Sequence, residues 1–112
     1  LMSIGFSYQF ANRNLIDELQ LNLPEDFGAK SGQLRHLVPD FSNYNFTSEL
    51  SNLTIPTLLL YGLKDPLTPY ALNSLSQIIP NNTIKAISAA GHFPFIEKKS
   101  ETITAITEFI NK

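Results

Sequence analysis

The sequence predicts an α/β chain in which helical segments lead into a strand–helix–strand–helix unit. Three observations carry that prediction. Thr57-Leu58-Leu59-Leu60-Tyr61 is a continuous apolar run between Pro56 and Gly62, the pattern of a strand buried on both faces. Thr83 to Ser88 is a second short run with imperfect alternation, expected as a strand nearer the sheet edge. Between and after these runs, apolar residues recur at helical spacing: Leu72, Leu75, Ile78 and Ile79, then Ile103, Ile106, Phe109 and Ile110. Strand, helix, strand and helix in that order predict a parallel pair joined by a right-handed crossover.

The elements can be justified in turn. Leu15, Ile16 and Leu19 share one helix face, with Asn14 as the expected cap. Leu34, Leu37 and Val38 form a second stripe, starting near Ser31 and stopped by Pro39. The polar run from Asp40 to Asn45 follows as a loop. Thr68 then Pro69 starts the first helix of the second half, with proline at the first helical position. Pro80-Asn81-Asn82 ends it. Ser100 is the expected cap of the last helix, whose core stripe is Ile103, Ile106, Phe109 and Ile110. The period changes from Ile55 onward, and the chain is expected to divide into a helical segment, 1–52, and a βαβα segment, 53–112.

Composition narrows the function classes. The chain has 112 residues, 43% of them hydrophobic and 16% charged, ordinary values for a globular chain. A net charge of -2 gives no electrostatic reason to expect nucleic acid or an anionic membrane as partner. With no cysteine, a disulfide framework and a thiolate metal site are excluded. No cofactor or metal is expected. No apolar run approaches the roughly 20 residues a membrane helix needs, and no secretory signal is visible, so the expected location is cytoplasmic. Two parallel strands with a doubly buried run leave an edge and a face uncovered. Something beside Thr57–Tyr61 is therefore expected: earlier strands of the same protein, or another chain.

Two punctuated turns carry the chemistry. Tyr61-Gly62-Leu63-Lys64-Asp65-Pro66 follows the first strand, and Ala89-Ala90-Gly91-His92-Phe93-Pro94 follows the second. In open α/β sheets reactive groups gather at the carboxyl ends of strands, which is where Asp65 and His92 fall. An imidazole exchanges protons near neutral pH. A carboxylate on its other nitrogen fixes the tautomer and stabilises the imidazolium. His92 is accordingly the expected general base and Asp65 its orienting acid. Taken singly, each has a blander reading: aspartate before proline is a common turn former, and histidine after glycine is often a loop residue. Their order, one after each strand, is what joins them. His36 is expected at the surface, Glu97, Lys98 and Lys99 as a solvated approach to the last helix, and Phe93, Phe95 and Ile96 as packing residues that anchor the histidine loop.

From about Leu53 to the end, the pattern Ile55-Pro56-Thr57-Leu58-Leu59-Leu60-Tyr61-Gly62-Leu63-Lys64-Asp65-Pro66, Ile79-Pro80-Asn81 and Gly91-His92-Phe93-Pro94-Phe95-Ile96-Glu97 resembles the closing segment of the α/β-hydrolase fold. The helical first half is similar to the cap, or lid, that this fold inserts before its last strands. Within the superfamily, the Phe-Pro-Phe-Ile-Glu tail looks most like the proline iminopeptidase-type hydrolases. The resemblance implies that Asp65 is the acid and His92 the histidine of a nucleophile–His–acid triad. It implies hydrolysis of an ester or of a peptide bond near an amino terminus, with a small ester or peptide as substrate.

The family's nucleophile elbow, Gly-x-Ser-x-Gly, has no good counterpart. Gly5-Phe6-Ser7-Tyr8-Gln9 lacks the closing glycine and has only Leu1 to Ile4 before it. The expectation is that the nucleophile lies outside this chain and that the chain alone is inactive. Three alternatives stay open: an aspartate nucleophile, as in epoxide hydrolases and haloalkane dehalogenases; a non-catalytic ligand binder of the same fold; and a free-standing interaction domain that dimerises through its strand edge.

Overall fold

The computed structural model describes residues 6–37 and 43–112. In chain order these form a 3-10 helix at Arg13–Glu18, α1 at Phe27–Leu37, α2 at Thr47–Ser51, β1 at Thr57–Gly62, α3 at Thr68–Ile78, β2 at Asn82–Ile87, the single turn α4 at Pro94–Glu97, and α5 at Lys99–Ile110. Among the described residues the sheet has two strands. β1 and β2 pair in parallel, from Thr57 opposite Asn82 to Gly62 opposite Ile87. The predicted βαβα order is present, and both strands end at the same side of the molecule.

Local chemistry accounts for most element ends. The 3-10 helix is capped by Asn12 rather than Asn14: the Asn14 N–H is the donor, at 3.2 Å from the Asn12 side-chain oxygen. α1 starts at Phe27, earlier than the expected Ser31, because the Phe27 N–H closes a turn on the Pro24 carbonyl at 3.0 Å. A Lys30–Asp26 ion pair at 2.6 Å then spans its first turn. Leu34 and Leu37 are exposed on this helix; Val38 and Pro39, and the first half of the polar run after them, lie outside the described residues. Pro69 sits in the first turn of α3, one place further in than expected, where a missing N–H costs nothing. At the other end the Asn82 side-chain amide donates to the carbonyls of Ser76 (2.9 Å) and Ile79 (2.7 Å), tying α3 to the start of β2. α5 begins at Lys99 with no side-chain cap, so Ser100 does not cap it. The turn of α4 runs almost directly into α5 and leaves no room for a separate capping residue.

The core differs from the predicted one. Phe10, Ile79, Ile87, Ala90 and Ala105 are its buried apolar residues, and Leu60 packs against the cluster of Ile87, Ala90 and Ala105. β1 is half-buried along Thr57–Tyr61 rather than buried on both faces. On α5 the buried positions are Thr102 and Ala105, whereas Ile103, Ile106 and Ile110 are exposed. The helical period was read correctly, but the face it marks is not covered by the described part of the chain. Such an apolar face normally marks a contact surface.

Candidate active site

The Asp65 loop follows β1 directly. The Lys64 N–H binds the Ala90 carbonyl at 2.8 Å and the Leu63 N–H binds the Ile87 carbonyl at 2.9 Å. The turn after β1 is thereby held to the turn after β2. Asp65 folds its side chain back over its own loop. Oδ1 accepts the Leu67 N–H at 2.8 Å, the local bond that makes aspartate a turn former. Oδ2 accepts the Thr68 hydroxyl and faces His92 Nδ1 at 2.8 Å.

The two members of that contact differ in setting. The Asp65 side chain is 2% exposed and the His92 side chain 39%. Burial alone would raise the Asp65 pKa, but the Thr68 hydroxyl, the Leu67 amide and the His92 ring together hold its carboxyl below the ordinary value. The carboxylate is therefore ionised at neutral pH and accepts from Nδ1–H. In the neutral imidazole that leaves Nε2 as the basic nitrogen.

His92 is held by its backbone as well as its ring. Its N–H donates to the Gln9 carbonyl at 2.7 Å. Glu97, at the end of α4, accepts the Gly91 N–H on Oε1 at 2.8 Å and the Ala11 and Asn12 N–H groups on Oε2 at 2.8 and 3.1 Å. This overturns the solvated reading of Glu97, which is a half-buried acceptor for three backbone donors. The Phe93 ring meets His92 at right angles with centroids 5.2 Å apart and packs against Phe10 at 4.7 Å. Phe93 anchors the loop as expected. Phe95, in contrast, is 57% exposed. Ala89, before the histidine loop, has φ 55, a left-handed conformation uncommon for a residue with a Cβ.

A recess of about 350 Å³ lies beside the pair, lined by Asp65, Thr68 and His92 together with apolar Leu60, Phe95 and Ile106. A second recess of about 360 Å³ between β2 and α5 has no histidine among its lining residues. No group of three histidine, aspartate or glutamate side chains among the described residues is arranged to hold a metal ion. His36 is exposed on α1, away from these loops in the sequence. Ser7 belongs to a turn in which the Gln9 N–H binds the Phe6 carbonyl at 2.9 Å; Gly5, the first glycine of its partial elbow pattern, lies outside the described residues.

The arrangement of an acid and a histidine at adjacent parallel strand ends coincides with a match to a family model. The model for the α/β hydrolase fold matches residues 9–99. The chain belongs to the α/β-hydrolase fold family. The proline iminopeptidase of Lactobacillus delbrueckii subsp. lactis is 23% identical over 93% of this chain and 41% of its own length. That of Clostridioides difficile is 31% identical over 62% of this chain and 24% of its own. Among solved structures, a meta-cleavage product hydrolase superposes with TM-score 0.73 at 18% identity, covering 98% of this chain and 44% of that one. MenH from S. aureus gives 0.57 at 23% identity, covering 98% and 50%. At such identities the structures establish the shared fold. This hydrolase-fold chain thus spans less than half the length of the curated relatives named here. No helix among its described residues is long and apolar enough to cross a membrane.

Thr68 and Glu97 were the site residues that sequence reasoning missed. Thr68 had a signal, a hydroxyl three residues after the aspartate at a helix start. Glu97 had none, since two of its three partners are backbone amides 85 and 86 residues away.

Proposed function

We propose that this chain supplies the acid, Asp65, and the histidine, His92, of a nucleophile–His–acid triad, and that the protein carrying it hydrolyses an ester or an amino-terminal peptide bond of a small substrate. The observation that carries the reading is the 2.8 Å contact between Asp65 Oδ2 and His92 Nδ1. It is supported by the similarity to proline iminopeptidases.

In this reading a serine outside the chain is the nucleophile. As its oxygen attacks the substrate carbonyl carbon, its proton passes to His92 Nε2, and the ionised Asp65 carboxylate stabilises the resulting imidazolium. The imidazolium then gives that proton to the departing alcohol or amine. Water, deprotonated in turn by Nε2, cleaves the acyl-enzyme, and the returned proton restores the serine. Residues 1–52 serve as the cap segment and residues 53–112 as the closing part of the core. The rest of the hydrolase sheet lies along the open edge of β1 and covers the Ile103, Ile106 and Ile110 face.

The test is covalent labelling of the protein that carries this chain with a serine-directed phosphonate. The expected result is one adduct per molecule, formed much more slowly in His92→Ala. Hydrolysis without labelling would select an aspartate nucleophile. Neither labelling nor turnover on any ester or amino-terminal peptide would leave a ligand-binding protein and overturn the reading.

A further inference from the structure

We propose that Glu97 is a positioning residue for His92, acting through backbone amides rather than through the imidazole or the substrate. The proposal rests on the triad reading above and adds to it the element that fixes where the histidine stands.

Four hydrogen bonds close a ring around the histidine's backbone. The His92 N–H donates to the Gln9 carbonyl at 2.7 Å. Two and three residues after Gln9, the Ala11 and Asn12 N–H groups donate to Glu97 Oε2. The other carboxylate oxygen, Oε1, takes the Gly91 N–H at 2.8 Å. One carboxylate therefore holds two peptide segments against each other, and His92 is the residue that joins them. Ionised acceptors make stronger bonds to N–H donors than neutral ones do, and a single side chain that engages both segments removes their freedom to slide apart.

Gly91 shows how closely the clamp is drawn. A Cβ at this position would come within 3.0 Å of the Gln9 carbonyl oxygen, the Ala11 nitrogen and Glu97 Oε1, closer than real Cβ atoms approach. Only glycine lets the three groups converge. On the far side Glu97 is fixed by its own helix turn, with its N–H on the Phe93 carbonyl at 3.0 Å, and Phe93 is the ring that abuts the imidazole. Removing the carboxylate frees the Gly91–His92 peptide and lets Nδ1 drift from Asp65 Oδ2. A displacement of about 1 Å at a catalytic group costs about 100-fold in rate.

The experiment uses the whole protein, with turnover normalised to the folded fraction. Glu97→Ala is expected to lower kcat by about 10- to 100-fold with KM unchanged, because Glu97 reaches no substrate in this scheme. Glu97→Gln keeps one acceptor oxygen and is expected to recover part of the loss. In a His92→Ala background the same Glu97→Ala substitution is expected to cost nothing further, since its effect is spent through the histidine. A wild-type kcat in Glu97→Ala, or an equal loss with and without His92, would overturn the proposal. Failure of the triad reading itself would look different, because His92→Ala alone would then keep the wild-type rate.

Discussion

Gly62 and Gly91 meet with no space for a methyl group between them: a Cβ on Gly62 would lie within 3.0 Å of the Gly91 and Ala90 carbonyl oxygens. Gly62 ends β1 and Gly91 precedes the histidine, so this approach sets the distance between the acid loop and the histidine loop. Gly62→Ala must push against the Ala90–Gly91 backbone. The expected cost is about 1–3 kcal/mol of stability, read as a lower urea midpoint, together with loss of activity in the molecules that remain folded.

Asp65 ties the pair to pH. Its carboxyl is held below the ordinary carboxylate value, so its contribution to stability is fully present above that value and is lost as pH falls through the lower folded one. The stability difference between the wild type and Asp65→Asn should shrink as pH falls below about 4. Turnover should fall by about 10⁴-fold in the same variant, as for this substitution in a serine-protease triad. An asparagine amide facing Nδ1 donates where the carboxylate accepts, which moves the imidazole proton to Nε2 and removes the base.

Thr68 offers a gentler perturbation of the same group. Thr68→Val keeps the shape and removes the hydroxyl that donates to Asp65 Oδ2. A bond of this kind to a charged group is worth about 1.5–3 kcal/mol. Stability is expected to fall by an amount in that range, and the acid limb of the stability–pH curve should move upward because the carboxylate has lost one of its donors. An unchanged acid limb would mean that the hydroxyl does not act on Asp65.

The order of elements was legible because each strand is an apolar run ended by glycine or a turn, and each of α3 and α5 carries a 3.6-residue period. The acid and the histidine were legible for a related reason: once two parallel strands are assigned, the residues just beyond their ends must be neighbours. What the sequence hid follows from long-range geometry. Ile103, Ile106 and Ile110 mark an apolar face, but periodicity does not reveal whether the chain itself covers it. The burial of Thr102 depends on the Pro94 carbonyl that its hydroxyl reaches at 2.9 Å, and Glu97 depends on the amides of Ala11 and Asn12. The cap of the 3-10 helix was misplaced by two residues because Asn12 and Asn14 carry identical chemistry, and only the turn between them decides which is donor and which acceptor.

The most direct check on the Asp65–His92 relay is steady-state hydrolysis of an activated ester and an amino-terminal proline anilide by the whole protein and its His92→Ala variant. The expected result is a fall in kcat of about 100-fold or more in the variant, with little change in KM. Equal turnover by the two proteins would contradict the relay and leave the contact as a structural one.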